Sequence, residues 1–128
     1  MPILNIATYS LTLLLLLAQA ALALRGIFDP AAGALGFGPA ADSKAAEFYH
    51  AVYRDRNLVI SAIGILLLVF GMWRALEIVF TVGITLPLYD IIALKMAGVP
   101  VLPVHYITLV VLIVLAGLII ARAIQAPV

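Results

Sequence analysis

Glu47, His50, Arg54, Asn57, Ser61 and Gly64 recur at alternating three- and four-residue steps, the spacing that stacks side chains on one face of a helix. This stripe leaves a polar segment, passes through Arg54-Asp55-Arg56-Asn57 and continues into a long apolar run. Lipid supplies no hydrogen bonds, so such groups must turn inward to protein or water partners. A carboxylate beside an arginine and a tyrosine brings a base, a charge stabiliser and a proton donor to one place. That set can open an epoxide: one carboxylate orients water or a substrate hydroxyl, a second acid protonates the leaving oxygen, and Tyr53 and Asn57 hold the nucleophile. Allylic or keto-enol isomerisation uses almost the same groups, and the residue types do not separate the two.

The elements that must position these residues follow from composition. Of 128 residues, 66% are hydrophobic and 10% charged, with a mean hydropathy of +1.27. Soluble domains carry about a quarter charged residues, so the chain reads as an integral, multi-pass membrane protein whose partners are the lipid bilayer and a lipophilic small molecule. A net charge of +1, without a basic run or aromatic-interleaved patch, argues against nucleic acid. With no cysteine there is no disulfide framework, thiolate site or cysteine nucleophile. Only two histidines, far apart in the chain, argue against a dedicated metal site, and no cofactor is expected.

The run from Ile3 to Leu24 has the length of a spanning helix. Ala18 to Ala23 resemble a cleavage region, but no positive charge precedes the run, which favours a retained span over a signal peptide. Asn5, Thr8, Thr12 and Gln19 share one of its faces, either lining an interior or bonding back to their own helix. From Arg25 to Asp42 the sequence turns to Asp29-Pro30, Gly33, Gly36 and Gly38-Pro39, the chemistry of turns. Ile27, Phe28, Leu35 and Phe37 among these breakers predict a lid folded over the bundle end. Asp42 or Ser43 can cap the next helix, with Glu47 in its early turns. Its apolar part runs from Asn57 to the interface anchor Trp73-Arg74. The third run carries Glu77, Thr81 and Thr85 and ends with Pro87, Tyr89 and Asp90; Pro87 predicts a kink close to Asp90. Lys95, Gly98, Pro100 and Pro103 form the last turn before an aliphatic run that starts with His105 and Thr108.

These runs predict an all-α membrane protein: one domain over 1–128, a four-helix transmembrane bundle with a structured first loop. Its helices lie near Ile3–Leu24, Ser43–Trp73, Ala75–Leu94 and Val104–Arg122. Both termini then share one side, and the positive-inside rule favours the long loop in the cytoplasm. At the loop side Glu47, His50, Tyr53, Arg54, Asp55, Arg56 and Asn57 meet Tyr89, Asp90, His105 and Tyr106. Burying so many ionisable groups requires pairing, with an arginine of the second helix and Asp90 as the obvious partners. The expected catalytic set is Asp90 as acid or base, Arg54 or Arg56 to orient it, Asp55 as second carboxylate, and Tyr53 and Asn57. His50, Glu47, Ser61, Tyr89, His105 and Thr85 are expected to bind substrate. The competing explanation is an interfacial ion network that pins helices together.

No Ser/His/Asp order, phosphate-cradling loop or dinucleotide fingerprint is present. Gly33, Gly36 and Gly38 read as turn residues. Gly64, Gly71 and Ala116-Gly117 suit close helix packing, which leaves room for a homo-oligomer.

The loop PAAGALGFGPA, the stretch YRDRNLVISAIG and the end LPLYD together resemble a family of small four-helix membrane proteins carrying a domain-of-unknown-function label, 4267. The resemblance runs from Arg25 to Leu118. That family is expected to carry an Arg-Asp pair with a small residue four positions after the Asp. Arg56-Asn57 with Ser61 keeps this spacing with Asn for Asp, whereas Arg54-Asp55 keeps the chemistry in a shifted register. Asp90 matches the acid of the third helix. The resemblance implies the fold more than the chemistry; some members look like accessory proteins of natural-product pathways, which would suit a polyketide or terpenoid substrate.

The residues thus point to a small membrane enzyme, an epoxide hydrolase, cyclase or isomerase without a redox cofactor. The alternatives are a non-catalytic assembly or accessory subunit and, on weaker grounds, a small-molecule transporter, which the long first loop and the absence of a carboxylate in the first helix disfavour.

Overall fold

The computed structural model describes residues 2–125. It consists of α1 (Pro2–Phe28), α2 (Pro30–Phe37), α3 (Lys44–Val69), α4 (Trp73–Gly83), α5 (Thr85–Met96) and α6 (Pro103–Gln125). The sequence predicts four helices; the six segments arise because the first loop is itself helical and the third run is broken.

α1 continues past Leu24 to Phe28, and the turn chemistry expected after it proves to be a helix start. The Asp29 carboxylate accepts a hydrogen bond from the Ala32 amide at 3.0 Å, and Pro30 occupies the first turn of α2, where its missing N–H costs nothing. Gly33 and Gly36 are therefore helical rather than turn residues. Gly33 lies over Gly26 of α1, where an added β-carbon would sit 2.8 Å from the Gly26 Cα, while a β-carbon on Gly26 would run into the Arg54 side chain. α2 ends at Gly38.

Ser43 caps α3, its hydroxyl accepting from the Ala46 amide at 3.2 Å. α3 stops at Val69, short of the expected Trp73. The chain reverses through Phe70-Gly71-Met72, with Gly71 at φ 67°, a left-handed conformation open to glycine without strain.

The break in the third run falls at Gly83–Ile84, about two turns before the position predicted near Asp90. Pro87 lacks the N–H that would bond to the Gly83 carbonyl, so the ladder opens at that freed carbonyl and not at the proline's C-terminal side. The next bond, Leu88 N–H to Ile84 O, is stretched to 3.4 Å. The Thr85 hydroxyl donates to Val82 O at 2.7 Å and so satisfies a neighbouring carbonyl. Asp90 sits in regular helix beyond the break.

α1 packs along α3, and α4 with α5 packs along α6; α1–α6 and α3–α4 contacts join the two pairs. The common core of Leu16, Leu68, Leu76, Phe80, Leu115 and Ile119 fills the half of the bundle nearest the termini. Toward the other end the pairs diverge, and no Cα of α3 comes within 8 Å of one of α5 among the described residues. α2 lies across α1 and α3 at that splayed end.

The outer faces are covered by large apolar side chains, among them Ile6, Leu14, Val59, Leu66, Ile78 and Val110, a sheath too extensive for a water-facing bundle. Three helices, Ile3–Phe28, Trp73–Met96 and Pro103–Gln125, are long and apolar enough to cross a membrane. α3 has the length but carries Arg54, Asp55 and Arg56 in succession. The polar face of α1 does turn inward: Thr8 and Thr12 are fully buried. The Thr8 hydroxyl also bonds back to Leu4 O at 2.8 Å, so burial and back-bonding coexist. At the termini end the Arg122 guanidinium stacks on Trp73 at 5.1 Å, and Arg74 pairs with Glu77 at 3.1 Å.

Candidate functional site

Divergence of the two helix pairs leaves a cavity of about 250 Å³ beneath α2. α3 contributes Tyr53, Arg54, Asn57 and Ser61, α5 contributes Asp90, and α6 contributes His105 and Thr108. Gln19 and Arg25 enter from α1, and Phe37 closes the top from α2. Below this polar rim the walls are Leu16, Val79, Phe80 and Leu112.

His105 is only 5% exposed. Its Nε2 lies 2.7 Å from the Phe37 carbonyl oxygen, and a carbonyl only accepts, so Nε2 carries the proton and donates it. Nδ1 therefore faces Asp90, 3.9 Å from Oδ2. At 3.9 Å the two groups stand beyond hydrogen-bond distance but close enough for their charges to interact.

Arg54 Nε donates to His50 Nε2 at 3.2 Å, and Nη2 reaches Gly33 O at 3.4 Å. The guanidinium thus joins α3 to the underside of α2. His50 and Tyr53 lie in the polar turns before the apolar part of α3. Burial, and then the Arg54 charge, lower the His50 pKa below its ordinary value, so the neutral ring that accepts from Arg54 is favoured. Burial raises the Tyr53 pKa, while a hydrogen bond with Asn57 acts the other way. Phe37 is wedged between two rings, edge-on to Tyr53 at 5.7 Å and to His105 at 4.9 Å. Through this one side chain the lid bridges the diverging halves.

Of the residues expected from sequence, Asp90, Arg54, Tyr53, Asn57, Ser61 and His105 are brought together. Ser61 lies deep, its hydroxyl donating to Asn57 O at 2.9 Å. The expected pairing of an α3 arginine with Asp90 is not formed: α3 and α5 are held apart, and His105, on the helix that does touch α5, takes the place beside Asp90. Arg54 is the arginine that faces inward. Asp55 and Arg56 point outward and are exposed, because successive residues on a helix turn by about 100°. Glu47 pairs with Lys44 at 3.2 Å outside the cavity. His50 stands behind Arg54 and positions it without lining the cavity. Tyr89 is 70% exposed, and Thr85 spends its hydroxyl on Val82 O. Tyr106 lies outside, beneath the Lys95 ammonium.

Sequence reasoning missed Arg25, Gln19, Thr108 and Phe37 as cavity residues. Gln19 was legible as a member of the polar face of α1. Phe37 was legible as an apolar residue of the lid but not as a site residue, since its contribution is a main-chain carbonyl and a ring delivered by a helix hidden in a glycine-rich segment. No three His, Asp or Glu side chains converge as a metal site among the described residues.

An all-helical bundle, apolar outside, with an ionisable cavity at one end under a lid helix: this is the class of protein that fold and site define. Within that class the chain belongs to the family described as Domain of unknown function (DUF4267), whose profile matches residues 16–119, a stretch that includes every polar residue of the cavity. No curated protein and no solved structure matches the chain.

Proposed function

We propose that this chain is a multi-pass integral membrane enzyme that performs acid-base chemistry, epoxide opening or isomerisation, on a lipophilic small molecule at Asp90 and His105. The observation that carries the reading is the close approach of an acid and a base: His105 Nδ1 3.9 Å from Asp90 Oδ2, oriented by the bond from Nε2–H to Phe37 O and set above an apolar shaft. A base and an acid in contact can take a proton from one substrate atom and return it to another.

In isomerisation, Asp90 removes a proton next to a carbonyl and the pair redelivers it at the far carbon, with no net change in enzyme protonation. In epoxide opening, Asp90 draws a proton from water as its oxygen bonds to the ring carbon. The C–O bond breaks, and the departing oxygen takes a proton from Tyr53 or His105. Asp55 was the expected second carboxylate; its outward position passes that acid role to these two groups. Arg25 and Arg54 supply positive charge to an oxygen that becomes anionic.

A second reading is favoured by a specific observation: His105 and Arg54 both spend hydrogen bonds on carbonyls of α2, as a purely structural fastening would. Conversion of lipophilic epoxides and unsaturated ketones by the purified protein separates the two. Folded Asp90→Asn should lose about 10²- to 10⁴-fold in rate, the usual contribution of a positioned acid or base. Undiminished turnover by that variant removes Asp90 from the chemistry, and none by the wild type removes the enzymatic reading.

A further inference from the structure

The cavity is polar at one end and apolar at the other, and it is small. Asp90 and His105 stand at the rim, while Leu16, Phe80 and Leu112 form the floor. Along α5 and α4 the path from Asp90 to Phe80 covers roughly 15 Å at helical rise. That is about half of a ~30 Å hydrocarbon core, the depth of one leaflet. The volume of about 250 Å³ falls below the roughly 300–1,000 Å³ of pockets that enclose drug-sized ligands, which disfavours a fused-ring skeleton and suits a slim chain. Because no Cα of α3 lies within 8 Å of one of α5, only side chains stand between the shaft and the leaflet on that side. Gly83 lies on the shaft at the break between α4 and α5, and a β-carbon built there meets no atom within 4 Å.

We propose that the substrate of this site is a single-chain amphiphile that enters from the leaflet between α3 and α5, placing its oxygen-bearing end at Asp90 and His105 and its alkyl chain along the shaft past Gly83. The absence of a side chain at Gly83 sets the chain length admitted. The proposal rests on the Asp90–His105 reading for the chemistry at the head, but the chain-binding shaft can be tested apart from it.

The probe is an unbranched methyl ketone with a photoreactive diazirine at its chain end, applied to the protein in lipid nanodiscs and mapped by peptide mass spectrometry. Wild type should be labelled at the floor, near Leu16, Phe80 and Leu112. Gly83→Leu should cut that labelling by about tenfold or more, the effect of forcing a chain into filled space, while a short unlabelled ketone binds as before. Leu112→Trp fills the same shaft from α6 and serves as a second plug should Gly83→Leu fold poorly. Label spread over the lipid-facing surface, or floor labelling that neither plug reduces, overturns the proposal. Turnover of bulky epoxides without shaft labelling overturns it while leaving the enzymatic reading intact. Shaft labelling without turnover of any ketone or epoxide keeps the chain site and overturns the chemistry at Asp90.

Discussion

Gly33→Ala and Gly36→Ala place the same methyl group on the same helix with opposite expected outcomes. At Gly33 the new carbon would lie 2.8 Å from both the Gly26 Cα and His50 Nε2. The first is main chain, and the second is held by Arg54 at 3.2 Å, so neither can yield cheaply. Overpacking of this kind costs about 1–3 kcal/mol, against a gain of about 0.5–1 kcal/mol for replacing glycine inside a helix. At Gly36 nothing lies within 4 Å, so only the gain remains. The helix-propensity contribution cancels between the two variants, leaving a difference of about 1–3 kcal/mol in how firmly α2 is docked. Trypsin reads this directly, since Arg25 and Lys44 flank α2 and both are exposed. If cleavage follows the population of the undocked state, Gly33→Ala should be cut about fivefold to over a hundredfold faster than Gly36→Ala. Fluorescence of the single tryptophan, Trp73, at the opposite end of the bundle, reports whether global unfolding is involved. Equal cleavage of the two variants would refute the Gly26–Gly33 crossing and the lid position derived from it.

The lowered pKa of His50 gives a pH dependence with a definite sign. Its neutral form belongs to the folded state, so the associated stability is fully present above the ordinary value of 6.5 and is lost as pH falls through the lowered folded value. Trypsin cutting at Arg25 and Lys44 should accelerate on acidification in wild type, and His50→Gln should flatten that profile. Asp55→Asn and Arg56→Gln, on the exposed side of α3, should each stay within about 0.5 kcal/mol of wild type in detergent unfolding. Arg54→Gln should cost about 1–3 kcal/mol, because Gly33 O and His50 Nε2 lose their charged donor. Thr12 is fully buried and its hydroxyl has no partner, so the near-isosteric Thr12→Val should raise stability by about 1–2 kcal/mol in the same assay.

Membrane-compatible helical character, the polar stripe and the acid of the third run were legible because each is written in local periodicity. Apolar runs of spanning length admit only helices where no water can satisfy the backbone. The steps between His50, Arg54, Asn57 and Ser61 fix a shared face whatever that face meets. The same geometry already separated Asp55 and Arg56 from that face, and their nomination as site residues followed residue chemistry over helical phase.

What the face meets was decided by packing between distant segments. The sequence offered any α3 arginine as the partner of Asp90; α3 and α5 diverge, and His105 on α6 stands there instead. Asp29-Pro30 reads equally as a turn or as a helix start, and the close approach of Gly33 to Gly26 selected the helix. Pro87 frees the Gly83 carbonyl and so places the break locally, but that Gly83 would line a cavity depended on the helices around it. Local sequence determined which residues share a face and where the chain can be helical. The tertiary structure alone decided which faces stand apart and so where the cavity lies, because cavities arise from long-range distances that no local spacing encodes.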